Sequence, residues 1–203
     1  MMEQMLHQCP VTCGYACGII AVLVISGLGI LPPQVLVYDY YSVFHKLELW
    51  RLVTALFYYG RPNLMLIISL YIDIRYIYLL ETSIFSQRRS TLLFILLLCI
   101  IPVYIISGLM GSYFISYSFN SAIDIIASKL VSSQVLLFGV IPMPMRFLPL
   151  FNLFLAVAQN QSVLPLIVGY LAGHMIFYFL YVFPVITKAP VFRTPNCLRQ
   201  LLD

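Results

Sequence analysis

Charge is what this sequence has least of. Eleven Lys and Arg and seven Asp and Glu make up 9% of 203 residues, against about a quarter in an ordinary soluble domain. So little charge excludes a disordered acidic or basic tail. It also excludes a nucleic-acid binder, whose phosphate contacts need clustered Lys and Arg; the formal balance of +4 is too small and too scattered for that. The first ten residues, MMEQMLHQCP, hold no Lys or Arg. A cleaved signal peptide with a basic leading segment is therefore not expected, and the first apolar stretch, Tyr15 to Leu31, reads as an uncleaved anchor. Five cysteines, an odd number without a C-x-x-C pair, give no disulfide framework and no metal site. Nor does any pattern point to a cofactor. What is abundant is apolar surface, 62% of residues at a mean hydropathy of +0.99. A globule of this size has too little interior to hide that excess. The composition is that of a polytopic membrane protein.

A helix needs about 20 apolar residues to cross the hydrocarbon core. Six segments qualify or nearly qualify: 14–32, 62–80, 91–111, 113–131, 147–158 and 163–186. The expected fold is an all-α integral membrane bundle of six transmembrane helices forming one domain over residues 1–203. The fifth segment is short: 12 residues rise only about 18 Å. The run before it, LLFGVIPMPM, is broken by Pro142 and Pro144 and reads as a bent or re-entrant lead-in, although Met143 to Arg146 could extend the helix. The basic residues set the orientation. With the N-terminus in the cytosol, that side holds Arg88, Arg89, Lys129, Arg146, Lys188, Arg193 and Arg199, and the far side only Lys46, Arg51 and Arg61. Both termini are expected in the cytosol, and the sequon Asn160-Gln161-Ser162 falls in a far-side loop too short to be reached by a glycosylating enzyme.

The far-side segment 33–61 is apolar and aromatic but mixes in Asp39, His45, Lys46, Glu48 and Arg51. Leu47, Leu49, Trp50 and Leu52 to Leu56 fit an interfacial element with aromatic anchors better than a further crossing. Cys9, Cys13 and Cys17 recur every four residues, a helix stripe suited to packing or to juxtamembrane palmitoylation.

Polar residues inside spans are costly and need a reason. Tyr117, Ser121, Asp124 and Ser128 share one face of the fourth helix. Asp73 and Arg75, two apart on the second, point to different sides and cannot pair. Arg75 lies near enough to the cytosolic end to snorkel there. Asp73 is deeper, and is expected protonated, paired with another helix, or wetted by water entering the bilayer, with a proton relay as the outlying reading. Gly169 and Gly173 have the spacing that lets two helices approach closely, here the sixth and fourth. His174, beside them, either hydrogen-bonds a neighbouring helix or faces a polar, substrate-lined cavity.

Six motifs in order carry a family resemblance: Pro10-Val11-Thr12; Trp50-Arg51 within VFHKLELWRLVTALFYYG; Arg75 with Leu80-Glu81; Phe138-Gly139 followed by Phe147-Leu148-Pro149; Gly169-Tyr170-Leu171-Ala172-Gly173-His174; and Val182-Phe183-Pro184 with Thr194-Pro195. From about residue 8 to the end, the chain resembles the Derlins, the catalytically dead members of the rhomboid superfamily. It departs from their pattern at Cys13, where an Arg is usual. The resemblance implies a rhomboid-like bundle with an interfacial far-side loop, in which Trp50 and Arg51 anchor that loop.

Active rhomboids carry Gly-x-Ser-Gly on the fourth span and a His on the sixth, three residues before the first Gly of the Gly-x-x-x-Gly pair. Here the fourth span has no such glycine and that position is Leu166. His174 is eight residues away, about 12 Å along a helix, so no catalytic residue is expected. What the resemblance implies instead is a multi-pass protein of the endoplasmic-reticulum membrane that helps misfolded lumenal and membrane proteins cross to the cytosol for ubiquitination and proteasomal degradation. Asn63, Ser69, Asp73, Asp124 and Asn152 are expected along a hydrated groove between the second and fifth spans, with the bilayer thinned over it. The sequence stops at Asp203 without the tail motif that longer Derlins use for the AAA ATPase of the pathway, so that partner is expected only indirectly, through a membrane ubiquitin ligase or an adaptor. The alternatives are an active rhomboid-type protease, whose dyad is missing, and a small transporter, whose internal repeats are not seen.

Overall fold

The computed structural model describes residues 9–60, 64–131, 134–137, 141–158, 161–188, 192 and 194–202. Each of the six apolar segments holds a helix. Helix α1 runs Pro10–Gly27, four residues earlier than the sequence pattern places it. Pro10 occupies the first turn, where its missing N–H costs nothing. The helix then ends where Gly29 takes a φ of +70° and Pro32-Pro33 follow. Val11, Thr12, Tyr15, Ile19 and Val22 are its buried stripe; Ile20 and Val24 on the opposite side are exposed.

The 33–57 segment forms three short helices: α2 (Pro33–Leu36), α3 (Tyr40–His45) and α4 (Arg51–Phe57). A single interfacial helix is replaced by this zigzag because Leu47 has a positive φ of 57°, which no helix continues through. Helix α5 (Leu64–Leu79) passes into a π-helical turn, Leu80–Ile84. Helix α6 (Arg89–Met110) stops at Gly111, whose left-handed φ lets its N–H close on the Ser107 carbonyl.

Helix α7 (Ile115–Leu130) is the axis of the bundle, buried from Ile115 to Ala127 on almost every side. The bent or re-entrant lead-in expected before the fifth segment is a β-hairpin, the one departure from an all-α fold among the described residues. Strands β1 (Gln134–Leu137) and β2 (Ile141–Pro144) pair antiparallel, with Gln134 opposite Pro144. Pro142 and Pro144 forbid a helix there, so Met143 does not extend the fifth helix. A 3₁₀ turn, Met145–Phe147, leads into α8 (Leu148–Ala158), 11 residues long. Helix α9 (Leu164–Phe177) continues through a second π turn, Tyr178–Val182, into α10 (Phe183–Thr187), and α11 (Asn196–Leu202) lies against α6.

Among the described residues, three helices are long and apolar enough to cross a membrane: Pro10–Gly27, Arg89–Met110 and Leu164–Thr187. Well under half of each is buried within the protein. Leu109 and Val185 are 82% and 78% exposed. In water such surface would be a liability; in a bilayer it is the expected outer face, with backbone polar groups satisfied inside each helix.

Helix α9 packs chiefly on α7. A Cβ built on Gly169 would stand 2.2 Å from the Ser118 carbonyl oxygen, and one on Gly173 2.6 Å from that of Ala122. Only glycine permits this approach.

Candidate functional site

Four polar residues of α7, Tyr117, Asn120, Ser121 and Asp124, line a cavity of about 90 Å³ between α5, α7, α8 and the start of α9, with Ser69, Asp73, Asn152 and Gln161 also in its wall. Ser128 donates instead to the Ile125 carbonyl, and Lys129 is exposed. Among the described residues, no Lys or Arg lines the cavity. Spacing explains the convergence. Ser69 and Asp73 are four apart on α5; Tyr117, Asn120, Ser121 and Asp124 fall on one side of α7; Asn152 sits in the second turn of α8.

Two hydrogen-bonded groups hold the carboxylates. The Asn152 amide donates to Asp124 Oδ2 at 2.8 Å. The Asn120 amide donates to Asp73 Oδ2 at 2.5 Å and, with its other N–H, to the Tyr59 hydroxyl. Tyr15 donates to Asn120 Oδ1 at 2.8 Å, so the 2.7 Å contact between the Tyr15 and Tyr59 hydroxyls has Tyr59 as donor. Each proton of the Asn120 amide is thus used, and α1, the 58–60 segment, α5 and α7 are tied at one buried point. Tyr76 adds a buried hydroxyl that has no hydrogen-bond partner among the described residues.

A second cavity of about 320 Å³ shares Ser69, Tyr117, Gln161 and Leu166 with the first and reaches Gly60, Ser162 and Pro165 at the loop end of the bundle. Together they lead from that end, past Ser69, Tyr117 and Gln161, to the middle of the bundle, beside its shortest principal helix. Eleven α-helical residues rise about 17 Å and the 3₁₀ turn adds about 6 Å, against a hydrocarbon core of about 30 Å.

Of the five groove residues expected from sequence, Ser69, Asp73, Asp124 and Asn152 meet at this cavity; Asn63 lies outside the described residues, as do Asn160 of the sequon and Phe138-Gly139. Arg75 is exposed on another side of α5. Asn120, Gln161, Tyr15 and Tyr59 were not anticipated. Asn120 had a signal, since it lies three after Tyr117 and four before Asp124.

His174 departs from both expectations. It is exposed, and its Nδ1 lies 2.9 Å from the carbonyl oxygen of Tyr170, one turn back on its own helix. A carbonyl only accepts, so Nδ1 carries a proton there. The reason is angular: Gly169 and Gly173 take the α7-facing side of α9, and His174 is about 100° round from Gly173. The cysteine stripe rotates similarly, from buried Cys9 to exposed Cys17, because a four-residue step overshoots a 3.6-residue turn.

Arg51 and Trp50 separate as well. Arg51 is 8% exposed, with Nε donating to Glu48 at 2.5 Å and one terminal nitrogen donating to the carbonyls of Gln34 and Val37 at 2.5 and 3.0 Å. It stitches α2 to α4. Trp50 is half exposed beside Leu47 and Leu49. Tyr104 and Ser116 clamp the segment to the bundle by donating to the Leu52 and Tyr58 carbonyls, both at 2.6 Å.

The Der1-like family model matches residues 9–196. The chain is 26% identical over 196 residues to Derlin-1.1 of Zea mays, covering 95% of this chain and 81% of that protein. It is likewise 26% identical to Derlin-1 of Oryza sativa, with the same coverage. Over 165 residues it is 27% identical to Degradation in the endoplasmic reticulum protein 1 of Saccharomyces cerevisiae, covering 78% of each. With the family model spanning nearly the whole chain, from the first turn of α1 into α11, this protein belongs to the Der1-like family, the Derlins.

Proposed function

We propose that this chain is a non-catalytic component of endoplasmic-reticulum-associated degradation, which helps misfolded lumenal and membrane proteins cross to the cytosol for ubiquitination and proteasomal destruction. The observation that carries this reading is the polar cavity at Ser69, Asp73, Asp124 and Asn152 within an otherwise apolar bundle. A peptide group without a partner costs several kcal/mol in hydrocarbon. A chain therefore crosses only where the dry layer is thin or polar partners are offered. The cavity offers carboxylate and amide groups, and the short α8 beside it creates a mismatch of about 7 Å that lipid and water relieve by moving inward.

In this reading the chain is one rhomboid-like domain with six spans and both termini in the cytosol. The 33–57 helices lie in the lumenal interface, and substrate enters between α5 and α8. Hand-over to a membrane ubiquitin ligase follows, with the AAA ATPase engaged indirectly. His174 supports the non-catalytic part, since its Nδ1 is engaged with Tyr170 and its ring faces away from the polar residues of α7.

The test is site-specific photocrosslinking in native membranes from residues replacing Ser69 and Asn152, with a radiolabelled misfolded substrate. Crosslinks at both positions, and none from the exposed Leu109, are expected. Substrate degraded normally without a crosslink at either position would contradict the reading.

A further inference from the structure

On the other side of Tyr15 lies a second kind of site. We propose that one anionic phospholipid binds between α1, α6 and α11, with an acyl chain in an apolar groove and its phosphate at the basic end of the bundle. The groove has a volume of about 290 Å³ and shares no lining residue with the polar cavity. At about 30 Å³ per water-sized group, that is room for on the order of ten methylenes.

Its wall is hydrocarbon: Pro10 and Gly14 from α1, Leu93, Leu97 and Ile100 from α6, and Leu202 from α11. Tyr15 also lines it, but its hydroxyl is engaged with Asn120 and Tyr59. Leu97 is 46% exposed, so the groove opens on the outer face of the bundle, where lipid chains are the solvent.

Charge selects the headgroup. Arg89 opens α6 four residues before Leu93, and Arg199 lies three residues before Leu202 on α11. On a helix both spacings keep the same face. Each basic residue therefore sits one turn from a residue of the groove wall. Arg88 and Arg199 are exposed. Among the described residues, the acidic group at this end is Glu81, which is 1% exposed and already accepts from Val11 and Thr12, so the exposed charge of those residues is positive. A phosphate there and a tail along Leu93, Leu97 and Ile100 place a lipid with its headgroup at the membrane surface and its chain inward.

Native mass spectrometry of the full chain, released from nanodiscs of phosphatidylcholine with a minor share of phosphatidylserine, tests this. One retained phospholipid per chain is expected, with phosphatidylserine enriched about fivefold over its share, the size of effect one basic side chain gives at a membrane surface. A Cβ on Gly14 meets nothing within 4 Å, so Gly14→Leu fills the groove without moving backbone. It should lower lipid retention about tenfold while the melting temperature holds. Arg88→Gln, Arg89→Gln and Arg199→Gln together should keep the lipid and lose the enrichment. Leu97→Trp at the open mouth is an independent block should Gly14→Leu melt early. Unchanged retention in a folded blocking variant, or phosphatidylserine retained only in proportion to its share, would overturn the proposal.

Discussion

Glu81 and Thr12, 69 residues apart, form one hydrogen-bonded unit. Glu81 Oε2 accepts from the Thr12 amide at 2.8 Å and from its hydroxyl at 2.6 Å, while Oε1 accepts from the Val11 amide at 3.0 Å. These are first-turn donors of α1, which its own N-cap residue, Cys9, leaves without a side-chain acceptor. The carboxylate thus caps a helix from another part of the chain, and its negative charge meets the positive end of the helix dipole.

Glu81→Ala strands three donors at a buried site and should cost about 3 kcal/mol or more. Glu81→Gln, which keeps an acceptor but loses the charge, should cost about half as much. Thermal unfolding in lipid nanodiscs measures both. A Glu81→Ala protein as stable as the parent would mean that the cap is not needed.

Arg51→Ala should destabilise by about 2–3 kcal/mol, because its fork holds two carbonyls and Glu48. Arg51→Lys should recover little, since an ammonium lacks that geometry. Trp50→Ala should cost less in stability and show instead as weaker retention of the 33–57 segment at the membrane surface. Loss of substrate association at full stability in either Ala variant would assign the pair to binding rather than anchoring.

Gly169→Ala should cost about 3 kcal/mol, since its Cβ meets backbone that cannot step aside. Gly173→Ala should cost somewhat less. Gly14→Ala is the control: it has open space, and should be neutral or stabilising by up to about 1 kcal/mol. Equal melting temperatures for all three would place the contact between α7 and α9 wrongly.

Asp39 caps α3. The Ser42 hydroxyl, at 2.6 Å, and the Ser42 amide, at 3.1 Å, hold its carboxyl below the usual carboxylate range. A depressed value means the contribution is present above about pH 3.9 and is lost as pH falls through the lower, folded value. The effect is about 1 kcal/mol or less at this partly exposed site. Emission from the single Trp50, in the same segment, should shift on acidification below pH ~4. Asp39→Asn, which caps without titrating, should flatten that shift. A shift of the same size in Asp39→Asn would exclude Asp39 as its source.

Apolar runs show where helices stand, because length and hydropathy are local properties. The limits of α1 and the hairpin before α8 were less legible. The first turns on Val11 and Thr12 finding a cap in Glu81, about 70 residues away, and the second on two prolines whose only signal is that a helix fails. At the cavity, Ser69, Asp73, Asp124 and Asn152 stood out as polar residues in apolar surroundings. Asn120 was readable from its spacing but hidden beside Ser121. Tyr15 and Tyr59 gave no signal, since a tyrosine in an apolar run looks the same whether its hydroxyl points inward or to the surface. His174 was misread because a costly residue was expected to face the interior, whereas the two glycines had already taken that side of α9.

Water in the cavity is the point on which the proposed crossing depends. Cysteines at Ser69→Cys, Asp73→Cys and Asn152→Cys, after removal of Cys9, Cys13, Cys17, Cys99 and Cys197, should react with a membrane-impermeant thiol reagent in lipid nanodiscs, where both membrane faces are open to it. Their rates should fall between that of an exposed control, Gln87→Cys, and that of a lipid-facing one, Leu109→Cys. If all three stay unreactive while Gln87→Cys labels readily, the cavity is dry and the crossing mechanism is contradicted.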